Sequence, residues 1–276
     1  MKKSTFSSPS IESETIEKLS AQLIQTTQAL YLANEQLKRE QQQKGQMLAN
    51  ISHDLRAPIT AIRGCIDYLN SGHVLSEEDL KSSLQLIDRR TRTLECLIQD
   101  MYFLFSVEDM SRDFEFTTVE AAPFLEEYFY DNLFDSRYDD RDMQLELSPD
   151  LNCRISVDIQ KFIRVLDNLF TNAAKYSEPG ASIALSAQTV PSHDKDTVLL
   201  IEVSDTGIGI PQEALAHIFD RTYTVSSART PASATGSGLG LSIVNTIVQR
   251  HGGNITCKSK EGAGSTFSIT LPIIST

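Results

Sequence analysis

Apolar residues at Leu48, Ile51, Leu55, Ile59, Ile62, Ile66 and Leu69 recur every three or four positions, the spacing of one buried helical face. Against that register His53 lies two residues before Leu55, a rotation of roughly 200° around a helix of about 3.6 residues per turn. Its imidazole therefore points away from the stripe, towards water, with the acid Asp54 beside it. Pro58 cannot donate a backbone hydrogen bond to the Asp54 carbonyl, so a bend is expected next to the imidazole. Upstream, Ile16, Leu19, Leu23, Thr26, Leu30, Ala33, Leu37, Glu40, Lys44, Met47 and Ile51 alternate spacings of three and four. This is a heptad repeat, weakened by Thr26, Glu40 and Lys44. So narrow a stripe is poorly buried on one helix, and a parallel homodimer is expected, the alternative being a helix folded back on its own chain.

A second helix is expected after SGHVLSEEDL, where Gly72 ends the first and Ser76 caps the next with Asp79 three residues later. Its stripe is Leu80, Leu84, Ile87, Leu94, Ile98, Met101 and Phe105. Two such helices form an antiparallel hairpin, and two hairpins a four-helix bundle. From Phe114 the pattern changes. Alternating runs at Gln144 to Leu147, Ile155 to Val157, Ile183 to Ala187, Val198 to Val203, Ile255 to Cys257 and Thr266 to Leu271 read as strands between helical segments. The expected fold is thus an all-α helical hairpin, a four-helix bundle as a dimer, followed by an α+β two-layer sandwich with a mostly antiparallel sheet. The expected organisation is a disordered Ser-rich tail over 1–13, a coiled-coil helix over 14–46, a helical-hairpin domain over 47–108 and the sandwich over 109–276.

Composition narrows this picture. The 276 residues suffice for two domains, each with its own core. A net charge of −12, with no basic cluster to reverse it locally, argues against a nucleic-acid partner. Nine of the acids fall between Glu126 and Asp150, against only Arg137 and Arg141, and that stretch reads as a solvated surface. The four cysteines form no CxxC pair and read as free thiols in a reducing cytosol. No apolar run approaches the ~18 residues of a membrane span, and the Ser-, Thr- and Glu-rich start is not a secretory signal. Taken as the whole protein, the chain would have neither membrane anchor nor extracellular sensor, and a cytoplasmic location is expected.

Candidate chemistry lies in four strings. In DNLFTNAAKYS, Asn168 and Asn172 stand four apart on one helical face, and neutral amide oxygens can complete a magnesium shell made largely of water and phosphate oxygens. In VSDTGIGIP a strand ends at Val203 and the Asp205 carboxylate can accept from the exocyclic amine of adenine, while Gly207 and Gly209 let backbone approach a ligand. IFDRTYTVSSARTPASATGS has no apolar period and is the length of a functional loop. A lid over a nucleotide fits it, with Arg221 or Arg229 available to phosphates. Gly236, Ser237, Gly238, Leu239, Gly240 and Leu241 then open a helix whose amides and dipole form an anion site. A Rossmann turn would follow a strand, and none precedes this one.

These strings, in this order and together with HDLRAP around His53, resemble the sensor histidine kinases of two-component signalling from about Gln46 to Pro272. The resemblance implies a dimeric bundle that carries the phosphoacceptor histidine on its outer surface and a Bergerat-type ATP-binding domain. It implies that His53 is phosphorylated from ATP, that Asn172 is the Mg2+ ligand, that Lys175 lies near the phosphates and Tyr176 beside the base. GAGSTFSITLP looks like the family's last box, with Thr266 on the adenine side. Asp54 would hold or accept the Nδ1 proton of His53. In the hydrolases that share this pocket, a glutamate at the position of Asn168 activates water, and Asn168 has no basic carboxylate for that task. Onward transfer to an aspartate of a response regulator is implied too, and a separate sensor protein is a candidate partner for the N-terminal coiled coil. Two departures stand out. Thr222, Tyr223 and Thr224 replace the usual aromatic, Tyr and Arg order, and Ala57 stands where many relatives carry a Thr or Asn that positions water for dephosphorylating the partner. A non-phosphorylating ATP-binding scaffold and a chaperone- or mismatch-repair-class ATPase are the rival readings.

Overall fold

The computed structural model describes residues 9–71, 76–108, 114–191, 197–220, 223 and 238–274, and the chain divides into two compact units, residues 1–53 and 54–276. Helix α1 (Pro9–Leu69) runs without interruption, with Pro58 inside it. Pro9 is its first residue, a position where proline's missing N–H costs nothing, so residues 9–13, expected in a disordered tail, are helical. Leu19, Leu23, Leu30 and Leu37 of the heptad repeat are exposed on the single chain.

In the second unit, helix α2 (Glu77–Glu108) starts on the expected cap. The Asp79 amide donates to Ser76 Oγ at 3.0 Å, and Asp79 Oδ2 accepts in return from the Ser76 hydroxyl at 2.6 Å and its amide at 3.3 Å. Gly72 lies outside the described residues. The helical stripe is not the buried face that its period suggests: Ile59 and Leu84 are 51% and 53% exposed, and Ile66, Leu80 and Ile98 are exposed as well. Among the described residues nothing covers them.

The remainder is a two-layer α/β lobe. Strands β1 (Thr117–Glu120), β2 (Asp142–Leu147), β3 (Arg154–Val157), β4 (Ser182–Pro191), β5 (Thr197–Asp205), β6 (Asn254–Ser259) and β7 (Ser265–Ile274) form one sheet. Its order is β1-β3-β7-β5-β4-β2, with β6 also paired to β7. Among the described residues every pairing is antiparallel except β2 with β4. Alternate strand residues, among them Ile183, Leu185, Leu199, Ile201, Val203, Phe267, Ile269 and Leu271, are buried, as a half-buried sheet requires. Helices α3 (Ala121–Leu133), α4 (Ile159–Lys175) and α5 (Gly240–Arg250) complete the lobe. On α4, Phe162, Val165, Leu166, Leu169, Phe170 and Ala173 are buried, a stripe spaced by threes and fours that leaves Asn168, Asn172 and Lys175 half-buried.

Both ends of α4 are tied down. At its start the Asp158 side chain accepts from the Lys161 amide at 3.2 Å and pairs with the Lys161 ammonium. The Asp158 amide donates to Nε2 of buried His251, whose Nδ1 donates to the Ile247 carbonyl at 2.8 Å. In mid-helix, Tyr128 of α3 donates to Asp167 Oδ1 at 3.0 Å. Arg164 of α4 pairs with Asp100 of α2.

Candidate nucleotide site

Three of the four candidate strings meet at the polar face of α4. Asn168 Nδ2 donates to the Arg164 carbonyl at 2.8 Å, and its Oδ1 lies 2.8 Å from where a Cβ on Gly240 would stand. A side chain at Gly240 would thus collide with Asn168, and glycine lets the start of α5 approach α4. One turn on, the Asn172 carbonyl accepts from the Tyr176 amide, which closes the helix, and the Lys175 ammonium sits 4.8 Å over the Tyr176 ring.

The Asp205 turn is joined to the same helix end. Asp205 ends β5, opposite Ser265 of β7 and Ile183 of β4. Its Oδ1 accepts from the Gly207 amide at 2.8 Å. Burial raises its carboxyl above the usual carboxylate range, against the lowering effect of the Gly207 and Ser265 amides. A half-buried, hydrogen-bonded acceptor suits a partner that brings its own donor, such as an amino group on a base. The nearby Cys257 thiol is pushed up to about 12 by burial and by Asp205, so it stays protonated at neutral pH.

The glycines of this turn have a different reason from the expected one. A Cβ on Gly207 would come within 2.3 Å of the Tyr176 carbonyl oxygen, and one on Gly209, at φ +69, within 2.1 Å of the Lys260 carbonyl oxygen. The protein's own backbone fills both spaces, so these glycines allow the turn to pack between α4 and the β6–β7 connection. Ser259 fastens the other side, accepting from the Ile210 amide at 2.8 Å and donating to the Gly264 carbonyl at 2.7 Å.

The glycine string leads into α5. Gly238 takes φ +63, Leu239 is the buried N-cap without any side-chain cap, and α5 begins at Gly240. Leu239 itself offers no capping side chain, and the start of α5 is the segment expected to serve as an anion site. Thr266 is half-buried in β7, paired with Ser204 and Lys258. Gly236, Arg221 and Arg229 lie outside the described residues, as does most of the expected lid. Among the described residues no group of three or more His, Cys, Asp or Glu could hold a metal ion. The Asn172 side-chain amide offers a single oxygen, a donor compatible with Mg2+, which keeps several waters and takes phosphate oxygens. His53 is exposed on α1, and Asp54 is half-buried beside it.

Sequence inspection missed the groups that hold this site from behind. Asp167 reads as part of the candidate string yet accepts from Tyr128, and His251 and Asp158 anchor the far end of α4. The one available signal was Asp158 just ahead of an apolar helical stripe, an N-cap pattern.

An α/β lobe with a glycine-flanked helix start, an asparagine-bearing helix and a half-buried carboxylate turn has the make-up of a nucleotide-binding domain of the ATPase class. Residues 157–275 match the family described as "Histidine kinase-, DNA gyrase B-, and HSP90-like ATPase", and residues 43–109 the "His Kinase A (phospho-acceptor) domain". With these two domain matches in this order, the chain is similar to the sensor histidine kinases of two-component systems. It is 32% identical to sensor histidine kinase WalK of Bacillus subtilis (strain 168) over 247 residues, which are 88% of this chain and 39% of that protein. Sensor protein SrrB of Staphylococcus aureus (strain NCTC 8325 / PS 47) is 32% identical over 84% of this chain and 38% of its own length. The chain thus spans about two fifths of the length of these curated relatives. Histidine kinase ThkA, solved in complex with response regulator protein TrrA, shares the fold with a TM-score of 0.67 at 24% identity, over 83% of this chain and 62% of that one. Full-length ShkA in complex with AMPPNP aligns with a TM-score of 0.57 at 21% identity, over 84% of this chain and 46% of that one. No helix among the described residues is long and apolar enough to cross a membrane.

Proposed function

We propose that this chain binds ATP in the α4–α5 cleft, transfers the γ-phosphoryl group to His53 and passes it on to an aspartate of a response-regulator receiver domain. The observation that carries the reading is Asn168. It stands beside Gly240 at the start of α5, its amide donates to the Arg164 carbonyl, and by the family resemblance it holds the position at which the related hydrolases carry a water-activating glutamate. An amide cannot take a proton from water at neutral pH, so the nucleophile comes from elsewhere. His53 is an exposed imidazole within the phosphoacceptor-matching segment.

In the proposed mechanism Asp205 and Thr266 read the adenine edge, Tyr176 lies beside the base, Lys175 faces the phosphates, and Gly236, Gly238, Leu239 and Gly240 present amides to them. Arg221 is proposed as a further phosphate ligand. Mg2+, held on the chain by Asn172, would neutralise charge on the triphosphate. Asp54 retains the proton on Nδ1, which leaves the Nε2 lone pair of His53 directed at phosphorus. The P–Nε2 bond forms as the bond to the β–γ bridging oxygen breaks, and ADP leaves with that electron pair. The phosphoramidate then donates the group to a carboxylate on the partner. The solved ThkA–TrrA complex supports a regulator of that kind, and the AMPPNP-bound ShkA structure supports an adenine nucleotide in this fold.

The exposed Ile59, Ile66, Leu80, Leu84 and Ile98 support a homodimer in which a second copy covers the stripe. The proposed domains are a coiled coil over 14–46, dimerisation and phosphotransfer over 47–108 and ATP binding over 109–276. A cytoplasmic location and input from a separate sensor protein through the coiled coil complete the reading. Incubation with Mg2+ and γ-labelled ATP tests it. Acid-labile, alkali-stable label on the protein, lost in His53→Gln, is the expected result. Free phosphate alone would point instead to an ATPase, and neither product to a scaffold.

A further inference from the structure

Arg137 and Arg141 are the two cations in the most acidic stretch of the chain, and the structure separates them. Arg137 pairs with Asp135 at the surface, 2.7 Å away. Arg141 turns inward to the carbonyl end of α4. Its Nε donates to Ser177 Oγ at 3.0 Å, and its Nη2 donates to the carbonyls of Ala174 and Ser177, each at 2.9 Å. Ser177 itself is buried. The last carbonyls of a helix have no partner within it and carry the negative end of its dipole. A guanidinium supplies both the donors and the charge.

The residue held between those two carbonyls is what matters. Tyr176 lies between Ala174 and Ser177, and its own carbonyl accepts from the Ile208 amide at 2.9 Å while closing over Gly207. Gly207 in turn donates to Asp205. A continuous set of contacts therefore runs from Arg141 through the last turn of α4 to the carboxylate proposed to read the base. The same turn presents Lys175 and follows Asn172 by one helical repeat.

We infer that Arg141 is a positioning residue for nucleotide binding. It touches neither base nor phosphate, but it fixes the turn that sets Lys175, Tyr176 and, through Ile208 and Gly207, Asp205. The inference rests on the nucleotide reading of the cleft given above. Lysine cannot reproduce the fork, because a single ammonium on a flexible stem does not reach these acceptors with the same fixed geometry.

The test uses the full chain, with trinitrophenyl-ATP fluorescence for affinity and initial autophosphorylation rates against ATP concentration. Arg141→Ala is expected to raise the half-saturating nucleotide concentration ~10-fold and Arg141→Lys about 3-fold. The rate constant at saturation should stay within about twofold, because the groups that act on phosphorus are retained. Ser177→Ala, which removes one of the three acceptors that the end of α4 offers Arg141, should have a smaller effect than either. Added ethylguanidinium should restore affinity to Arg141→Ala and leave the wild-type chain unchanged. Melting temperatures are read alongside. Lower melting with wild-type affinity in Arg141→Lys, measured well below the transition, would make Arg141 a structural strut and overturn the inference. If Arg141→Ala does not fold, Arg141→Lys and Ser177→Ala decide the matter by the same criterion. Failure of the wild-type chain to bind the probe would instead overturn the nucleotide reading itself.

Discussion

Asp205 carries two opposed demands. Burial lifts its carboxyl above the usual range, so keeping it ionised at neutral pH costs folding free energy. For a carboxyl raised in the folded state, stability is greatest at low pH and falls as pH rises through the shifted value. Asn at this position can still accept from the Gly207 amide but removes that cost and presents a weaker acceptor to a base. Asp205→Asn should therefore melt no lower than the wild type while its half-saturating ATP concentration rises at least ~10-fold, as read by differential scanning fluorimetry and nucleotide titration. A variant that melts lower yet binds normally would contradict both halves. On the helical segment, Ala57 stands one turn after His53 and has no hydroxyl or amide with which to hold a water. The chain should dephosphorylate a purified phospho-regulator only weakly without nucleotide, and Ala57→Thr should raise that rate several-fold. Rapid dephosphorylation by the wild type would refute the assignment.

At the scale of elements, α4 is the beam to which the site is fixed, and its start depends on a neutral imidazole. His251 Nε2 accepts from the Asp158 amide, so protonation would place an N–H against an N–H. Burial holds the His251 pKa below its usual value, against the raising effect of the Ile247 carbonyl and Asp158 and with the lowering effect of Lys161 and Arg250. The unfolded chain takes up the proton near pH 6.5 and the folded chain resists it. Stability is therefore full above about pH 6.5 and declines as pH falls towards the folded value. Asp158 acts in a separate window. Burial raises its carboxyl, but the Lys161 ammonium and the Lys161 and Glu115 amides outweigh this and hold it low, so its contribution is lost only below about pH 4. Melting temperature should fall between pH 7.5 and 5.5, and His251→Gln should flatten that slope while lowering stability at pH 7.5 by about 1–3 kcal/mol. An equal slope in the variant would remove His251 from the account. Six of the seven strands, the capping of α2 and the polar face of α4 were legible in the sequence because each follows a short local period or cap. Strand β1 was not, since four residues reading TTVE carry too little alternation to register. The partners of Asp167, Arg141 and His251 were not legible either, being set by residues 33 to 93 positions away.

For the whole molecule, the proposed homodimer would cover both the helical stripe and the heptad repeat, which the single chain exposes. Sedimentation should give a dimer, and Ile59→Asp with Ile66→Asp should convert it to a monomer. A monomeric wild type would contradict the bundle. Deleting residues 1–45 should abolish the response to input and spare basal phosphorylation, and unchanged signalling after that deletion would count against the coiled coil as the input route. That these parts belong to one machine was legible from four separated strings in a fixed order. The reason for the glycines in the Asp205 turn was not, because it lies in carbonyls of Tyr176 and Lys260 that no linear pattern places there. In the proposed mechanism the cleft delivers phosphoryl to an imidazole and not to water. The most direct test of this is to follow ADP and protein-bound phosphate together after adding excess Mg2+-ATP, with no receiver domain present. The account predicts that ADP rises in step with bound phosphate and stops at no more than about one equivalent per chain. Continued release of ADP and free phosphate through many turnovers, with His53 unmodified, would contradict it.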